Sequence, residues 1–199
     1  MTVRVTYAIV FVLLLIVVLG ALLVRLGGFP HVGTGYQRSE AIDFPEVEGF
    51  RRSKPFEFPD PRHGSVVSYE AGPVRINIYV YDSGLDFIPD GASSNVVKEE
   101  AVLVEEGLRE LRRRGKYRSY AERASGESRV GDSPDAPRAQ RRLFEIERED
   151  GGRILTDVYI TGYRNHFVKI RLTYPEGMRT ESERVAAPVL NALGACLRP

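Results

Sequence analysis

Tryptophan is absent from the 199 residues, and Cys196 is the single cysteine. One thiol cannot close an internal disulfide, and it cannot supply the thiolate sets of structural zinc sites. Its place at the far end of the chain also argues against lipid attachment near the amino terminus. His31, His63 and His166 are the three histidines and are scattered too widely to read as metal ligands. There is no Gly-x-Ser-x-Gly elbow, no His-Glu-x-x-His and no P-loop, and Gly33-Thr-Gly35 lacks the strand-turn-helix setting that phosphate binding needs. No catalytic residue, cofactor or metal is therefore expected. Charge of one sign is not in excess either: 28 Lys and Arg stand against 27 Asp and Glu. A general nucleic-acid binder shows a strong basic excess, so nucleic acid is not an expected partner. The length excludes two full catalytic domains and suits one domain with an appendage.

What is present begins with Tyr7 to Val24, 18 residues without a charge. At 1.5 Å per residue this run spans roughly 27 Å as a helix, close to the bilayer hydrocarbon. Leu22-Leu-Val-Arg-Leu-Gly-Gly28 offers no small residues at cleavage spacing, so a retained transmembrane helix over 7–25 is expected, after a short tail at 1–6. Arg4 and Arg25 flank the run on opposite sides, so charge does not set the orientation. The short tail and large following region fit a signal anchor. We therefore expect a single pass through the inner membrane, with the folded domain on the periplasmic side and the lipid bilayer as one partner.

Residues 26–64 read as an extended tether rich in Phe, Pro and Gly, with Phe-Pro pairs at Phe29-Pro30, Phe44-Pro45 and Phe58-Pro59. Phe44, Phe50, Phe56 and Phe58 either pack on the chain's own domain or lie along a neighbouring membrane subunit. The globular domain is expected over 65–199. Ser65 to Ala71 and Val74 to Tyr81 read as strands joined by Gly72-Pro73, with Val74, Ile76, Ile78 and Val80 on one face. Val97, Ala101, Val104, Leu108 and Leu111 recur at helical spacing, predicting a helix over Ser94 to Arg114 that Gly115 ends. Tyr117 to Arg123 reads as a strand, 124–139 as a polar loop, and Arg141 to Glu149, Arg153 to Tyr163 and His166 to Tyr174 as an antiparallel run. Thr180-Glu-Ser-Glu183 fits a capping box ahead of a closing helix with Ala186, Leu190, Leu193 and Leu197 as its buried stripe. Strands and helices do not alternate as βαβ, so the expected class is α+β: an antiparallel sheet of about six strands covered by two helices.

Two surfaces carry functional interest. Arg112, Arg113, Arg114 and Lys116 crowd the end of the first predicted helix, where they suit either a solvated helix end or docking to anionic lipid or an acidic subunit. On the final hairpin, Tyr159, Tyr163, Lys169 and Arg171 are expected to share a face that mixes aromatic and basic groups. Asp82, Asp86 and Asp90 fall in one loop but lack the alternating spacing of a calcium loop, and read as turn residues.

Tyr79-Val-Tyr-Asp-Ser-Gly-Leu-Asp-Phe-Ile-Pro-Asp-Gly91 and Thr161-Gly-Tyr-Arg-Asn-His-Phe-Val-Lys-Ile-Arg-Leu-Thr-Tyr-Pro175 resemble signatures of a family of exported bacterial domains. More distantly, the order of strands and helices resembles the PsbP and Mog1-like sandwich, whose members include extrinsic subunits of photosystems. The resemblance implies an accessory role and transfers no residue. The expected function is a membrane-anchored, non-catalytic accessory or binding subunit of a membrane protein complex. The alternatives are a membrane-tethered hydrolase and a small-ligand or lipid-binding module.

Overall fold

The computed structural model describes Ile42 and residues 44–198. The tail at 1–6, the apolar run at 7–25 and residues 26–41 of the tether lie outside the described residues. Among the described residues no helix is long and apolar enough to cross a membrane.

The described chain is α+β. Its strands are β1 (Arg51–Arg52), β2 (Phe56–Glu57), β3 (Ser65–Ala71), β4 (Val74–Tyr81), β5 (Ser119–Arg129), β6 (Arg138–Glu147), β7 (Arg153–Tyr163) and β8 (His166–Pro175). Helix α1 (Asn95–Arg113) separates β4 from β5, and α2 (Arg179–Cys196) closes the chain. The eight strands form one antiparallel sheet in the order β1-β3-β4-β8-β7-β6-β5, and β2 pairs with the start of β3.

Alternation along the central strands divides the side chains between two faces. On one face, Val74, Ile76, Ile78 and Val80 of β4 meet Val168, Ile170, Leu172 and Tyr174 of β8 in a core closed by Ala186, Val189 and Leu193 of α2 and by Leu197 just past its end. On the other, Leu108 of α1 packs on Phe144 and Ile146, with Val104 and Ile154 against them. The sheet is thus the middle of three layers.

Helix α1 has a clear sequence cause. The Ser94 side chain accepts from the Val97 amide, and Val97, Ala101, Leu108 and Leu111 are buried. At its end the Gly115 amide donates to Arg112 and the Lys116 amide to Leu111, the paired bonds of a Schellman motif, with Gly115 at φ 65°. Arg142 bolts the helix to the sheet. Its guanidinium bonds Glu105 at 2.9 Å and Glu122 at 2.7 Å and stacks 5.0 Å from the Phe144 ring.

Several expectations are corrected. The sheet has eight strands, not about six, because the stretch read as the end of the tether supplies β1 and β2. A proline-rich chain is already extended, and here its backbone pairs with the open edge of β3: Arg51 opposite Glu70, Phe56 opposite Val66. Strand β5 continues to Arg129 through residues read as a loop. It pairs only with β6, its residues are largely exposed, and a register shift falls between Glu122 and Ala124. An edge strand wet on both faces has no apolar alternation to betray it. The capping box of α2 does not form, because a 3-10 turn at Glu176–Met178 runs straight into the helix and places Thr180 inside its first turn. Glu183 instead accepts from Arg179 at 3.0 Å. The buried stripe of α2 passes through Val189 rather than Leu190, which is only partly buried. Finally, Tyr159 pairs with Ile170 and Ile160 with Lys169, so Tyr159 and Tyr163 face α2 while Lys169 and Arg171 face the other side.

Two outcomes test this packing. Leu108→Ala should cost about 2–5 kcal/mol in a denaturant melt, while Glu106→Ala, on the exposed side of α1, should change stability by less than about 0.5 kcal/mol. Equal losses would mean that α1 is packed by a different face. The second outcome concerns pH. The hydrogen bond from Arg142 holds the Glu122 carboxyl below its ordinary value. A depressed carboxyl stabilises the fold above the unfolded-state pKa and loses that contribution as pH falls through the folded value. The melting-temperature gap between wild type and Glu122→Gln should therefore be open at pH 7 and close on acidification below about pH 4.

Candidate functional site

At one end of the sheet, β4 runs into the loop 82–91 and β7 turns into β8. The turn after β4 is made by Asp82, whose carboxylate accepts from the Gly84 amide at 2.7 Å, with Ser83 at φ 55° and Gly84 at φ 77°. The loop then crosses the sheet end and is clamped on the β7–β8 hairpin. Asn165 Oδ1 accepts from the Ile88 amide at 2.8 Å and its Nδ2 donates to the Asp86 carbonyl at 3.3 Å. Asp90 Oδ1 accepts from the Arg164 amide at 2.7 Å. Gly91 and Gly162 exchange two backbone hydrogen bonds at 2.9 and 3.0 Å. Ile88 plugs the loop into the fold at 1% exposure. Only glycine fits at 162, because a Cβ there would sit 1.9 Å from the Pro89 carbonyl oxygen.

The clamp orders the backbone and buries Ile88 but leaves two other apolar side chains of the loop in solvent. Phe87 is 71% exposed and Leu85 is 43% exposed. Phe56 of β2, 54% exposed, lies toward the same end, where β2 pairs with the first residues of β3. The turn at Pro61–His63 joins this end to the loop: the Ser83 amide donates to the Arg62 carbonyl at 2.9 Å. The Arg62 guanidinium in turn grips Asp60, whose carboxyl it holds below the ordinary value.

The residues named from the sequence fall in three places. Phe44 and Phe58 are buried, and Phe50 stacks edge-on to Tyr69 at 6.4 Å between centroids, so these three are committed to the chain's own sheet. Phe56 stays exposed, with its ring 5.3 Å from that of Phe58. Arg112, Arg113, Arg114 and Lys116 are all exposed at the end of α1, where Glu110 bridges Arg113 at 3.5 Å and Arg114 at 2.7 Å. Leu85 and Phe87 were not named. Their signal was available, two apolar side chains inside turn-forming Asp, Ser, Pro and Gly, but a single exposed apolar residue is too common to stand out. Elsewhere, an open depression of about 480 Å³ is lined by Glu127, Arg138, Tyr159 and Leu190 among others. Its Arg138 pairs with Glu127 at 2.9 Å, and the Tyr159 hydroxyl donates to Asp157 at 3.2 Å.

No protein-family model and no curated protein matches the chain. Among solved structures it is similar to a cyanobacterial PsbP protein, CyanoP from Synechocystis sp. PCC 6803, known in solution: the two are 9% identical, the match covers 86% of this chain and 97% of that one, and the TM-score is 0.49. The distant likeness to a PsbP-type fold is thus one of overall arrangement, and says nothing about what this chain binds.

The clamp can be broken selectively. Gly162→Ala should drive the loop 82–91 off the hairpin, exposing it to limited proteolysis and speeding hydrogen exchange at the Ile88 amide. Gly107→Ala is the control, because nothing lies within 4 Å of a Cβ there and the helix should gain about 0.5–1 kcal/mol. Equal protection of the loop in both variants would show that it does not rest on Gly162.

Proposed function

We propose that this chain is a single-pass, membrane-anchored binding domain that serves as a non-catalytic accessory subunit of a membrane protein complex, with its folded part on the periplasmic side of the inner membrane. The observation that carries the docking role is Phe87: a phenylalanine left 71% exposed on a loop whose backbone is held by Asn165, Asp90 and Gly162. Exposed apolar side chains on an ordered, pre-shaped loop bind without first losing backbone entropy. The uncharged run at 7–24 supports the membrane anchor. The tether also matters. Because Phe44, Phe50 and Phe58 pack on the sheet, only residues 26–41 separate the apolar run from the described domain, a reach of roughly 55 Å at full extension. The cluster Arg112, Arg113, Arg114 and Lys116 adds a long-range attraction to an acidic surface that salt screens.

Full-length protein should stay with membranes after a carbonate wash and keep its amino terminus. Purified in mild detergent, wild type should carry a defined membrane subunit that Phe87→Ser loses, with the melting temperature of the domain unchanged because the side chain is exposed. Replacing the four basic residues by Gln should weaken the same association at low salt and leave it nearly unchanged at 1 M salt. A mature protein starting near Leu26 to His31 defeats the anchor. Retention of the subunit by Phe87→Ser defeats the docking role of the loop.

A further inference from the structure

The loop 82–91 carries charge as well as exposed apolar surface. Leu85 and Phe87 stand in solvent, and the residue between them is Asp86. Asp86 is exposed and its carboxylate bonds nothing among the described residues; only its backbone carbonyl is engaged, by Asn165 at 3.3 Å. Asp82 and Asp90 flank it, and each accepts from a backbone amide, of Gly84 and of Arg164, at 2.7 Å. Residues 82–91 hold these three acids and no base.

None of the three forms an ion pair among the described residues, whereas Asp60 on the neighbouring turn is matched by Arg62 at 2.6 Å. The positive charge of the domain's surface is concentrated elsewhere. Helix α1 starts at Asn95, just past the loop, and its 19 residues carry the Arg112, Arg113, Arg114 and Lys116 cluster roughly 28 Å away. That exceeds the Debye length of about 8 Å at physiological salt, so the acidic, apolar loop and the basic helix end act on different surfaces.

An exposed phenylalanine on a membrane-tethered domain has two surfaces to meet, lipid or protein, and the charge decides between them. Seating Leu85 and Phe87 in a bilayer drags the Asp86 carboxylate out of water with no counter-charge, toward phosphates of its own sign. A protein pocket with a cation at its rim avoids both costs, because the ammonium or guanidinium that meets Asp86 replaces the water it loses. We propose that the loop 82–91 docks on protein and not on lipid, Leu85 and Phe87 entering an apolar pocket whose rim carries a lysine or arginine for Asp86. This inference rests on the docking role proposed above and specifies the chemistry of the partner's site.

The test uses the full-length protein in its native membranes, with p-benzoylphenylalanine in place of Leu85 as a photo-crosslinking probe of what the loop touches. The adduct should form with protein and not with lipid. Its yield should fall about three- to tenfold when Asp86→Asn is added and at least tenfold with Asp86→Lys, which sets like charges against each other. Neither change should move the melting temperature of the domain, because the carboxylate is exposed and bonds nothing. Replacing a lysine or arginine beside the crosslinked position of the partner by Glu should restore the adduct of Asp86→Lys, a rescue that a purely apolar contact would not show. An adduct with lipid overturns the inference. So does a protein adduct of equal yield in all three Asp86 backgrounds, although the docking role then stands. If no adduct forms, the docking role itself has failed, and this inference with it.

Discussion

The turn Arg164-Asn165 joins β7 to β8 with two residues, both at positive φ, 47° and 64°. Such a turn matches the right-handed twist of the strands and leaves no slack in the pairing that follows it, so Tyr163 stands opposite His166 and every later pair is set. A slip of one residue would send Val168, Ile170, Leu172 and Tyr174 to the wrong face and bring Lys169 and Arg171 into the core under α2. The same turn supplies the Asn165 side chain that pins the loop 82–91. The core, the placement of Lys169 and Arg171 on the face opposite it, and the exposed loop therefore share one geometric origin. Residues 79–91 and 161–175 are the two halves of this unit, hydrogen-bonded along β4 and β8 and again across the loop.

Where burial is one-sided, the sequence announced the structure. Val74 to Tyr81 and the helix from Asn95 each carry a period led by one apolar face, and each lies where that period places it. Where a segment has no buried face, or two, the period is silent. Strand β5 is largely exposed and read as a loop beyond Arg123. Strands β1 and β2 are two residues long and exist only because β3 offers an edge, a long-range fact that local sequence does not hold. In α2, Leu190 and Val189 are both apolar neighbours, so the choice of which points inward is made by packing on β4 and β8 and not by hydrophobicity. The docking residues divide similarly. Aromatic content marked Phe44, Phe50, Phe56 and Phe58 alike, and only the three-dimensional pairing separates the exposed Phe56 from the others.

The near balance of 28 basic and 27 acidic residues hides an uneven arrangement. Arg141 holds the buried Asp157 at 2.6 Å, Arg142 joins α1 to β5, and Arg123 and Arg138 tie β5 and β6 to each other's carboxylates. These cations are structural, because a buried or strand-edge carboxylate without them would be left desolvated. Other cations, Arg112 at the end of α1 and Arg171 of β8 among them, meet no carboxylate among the described residues. Counting charges along the sequence could not separate the two classes.

Phe56, Leu85 and Phe87 are three side chains, and burying a large apolar side chain is worth about 1.5–3 kcal/mol when complete. Three side chains cover well short of the roughly 1,000 Å² that a stable complex between freely diffusing proteins requires. If the chain is anchored as we propose, attachment to a membrane changes that requirement. A tether of residues 26–41 would confine the domain to a thin shell at the bilayer surface, where a partner in the same membrane is met at an effective concentration on the order of millimolar. Under that confinement a contact of millimolar intrinsic strength is already half occupied. A contact this weak would also exchange readily. On the function proposed above, the apolar run, the residues that follow it and the exposed side chains of the loop would depend on one another: each is of ordinary size alone, and together they would support a specific association.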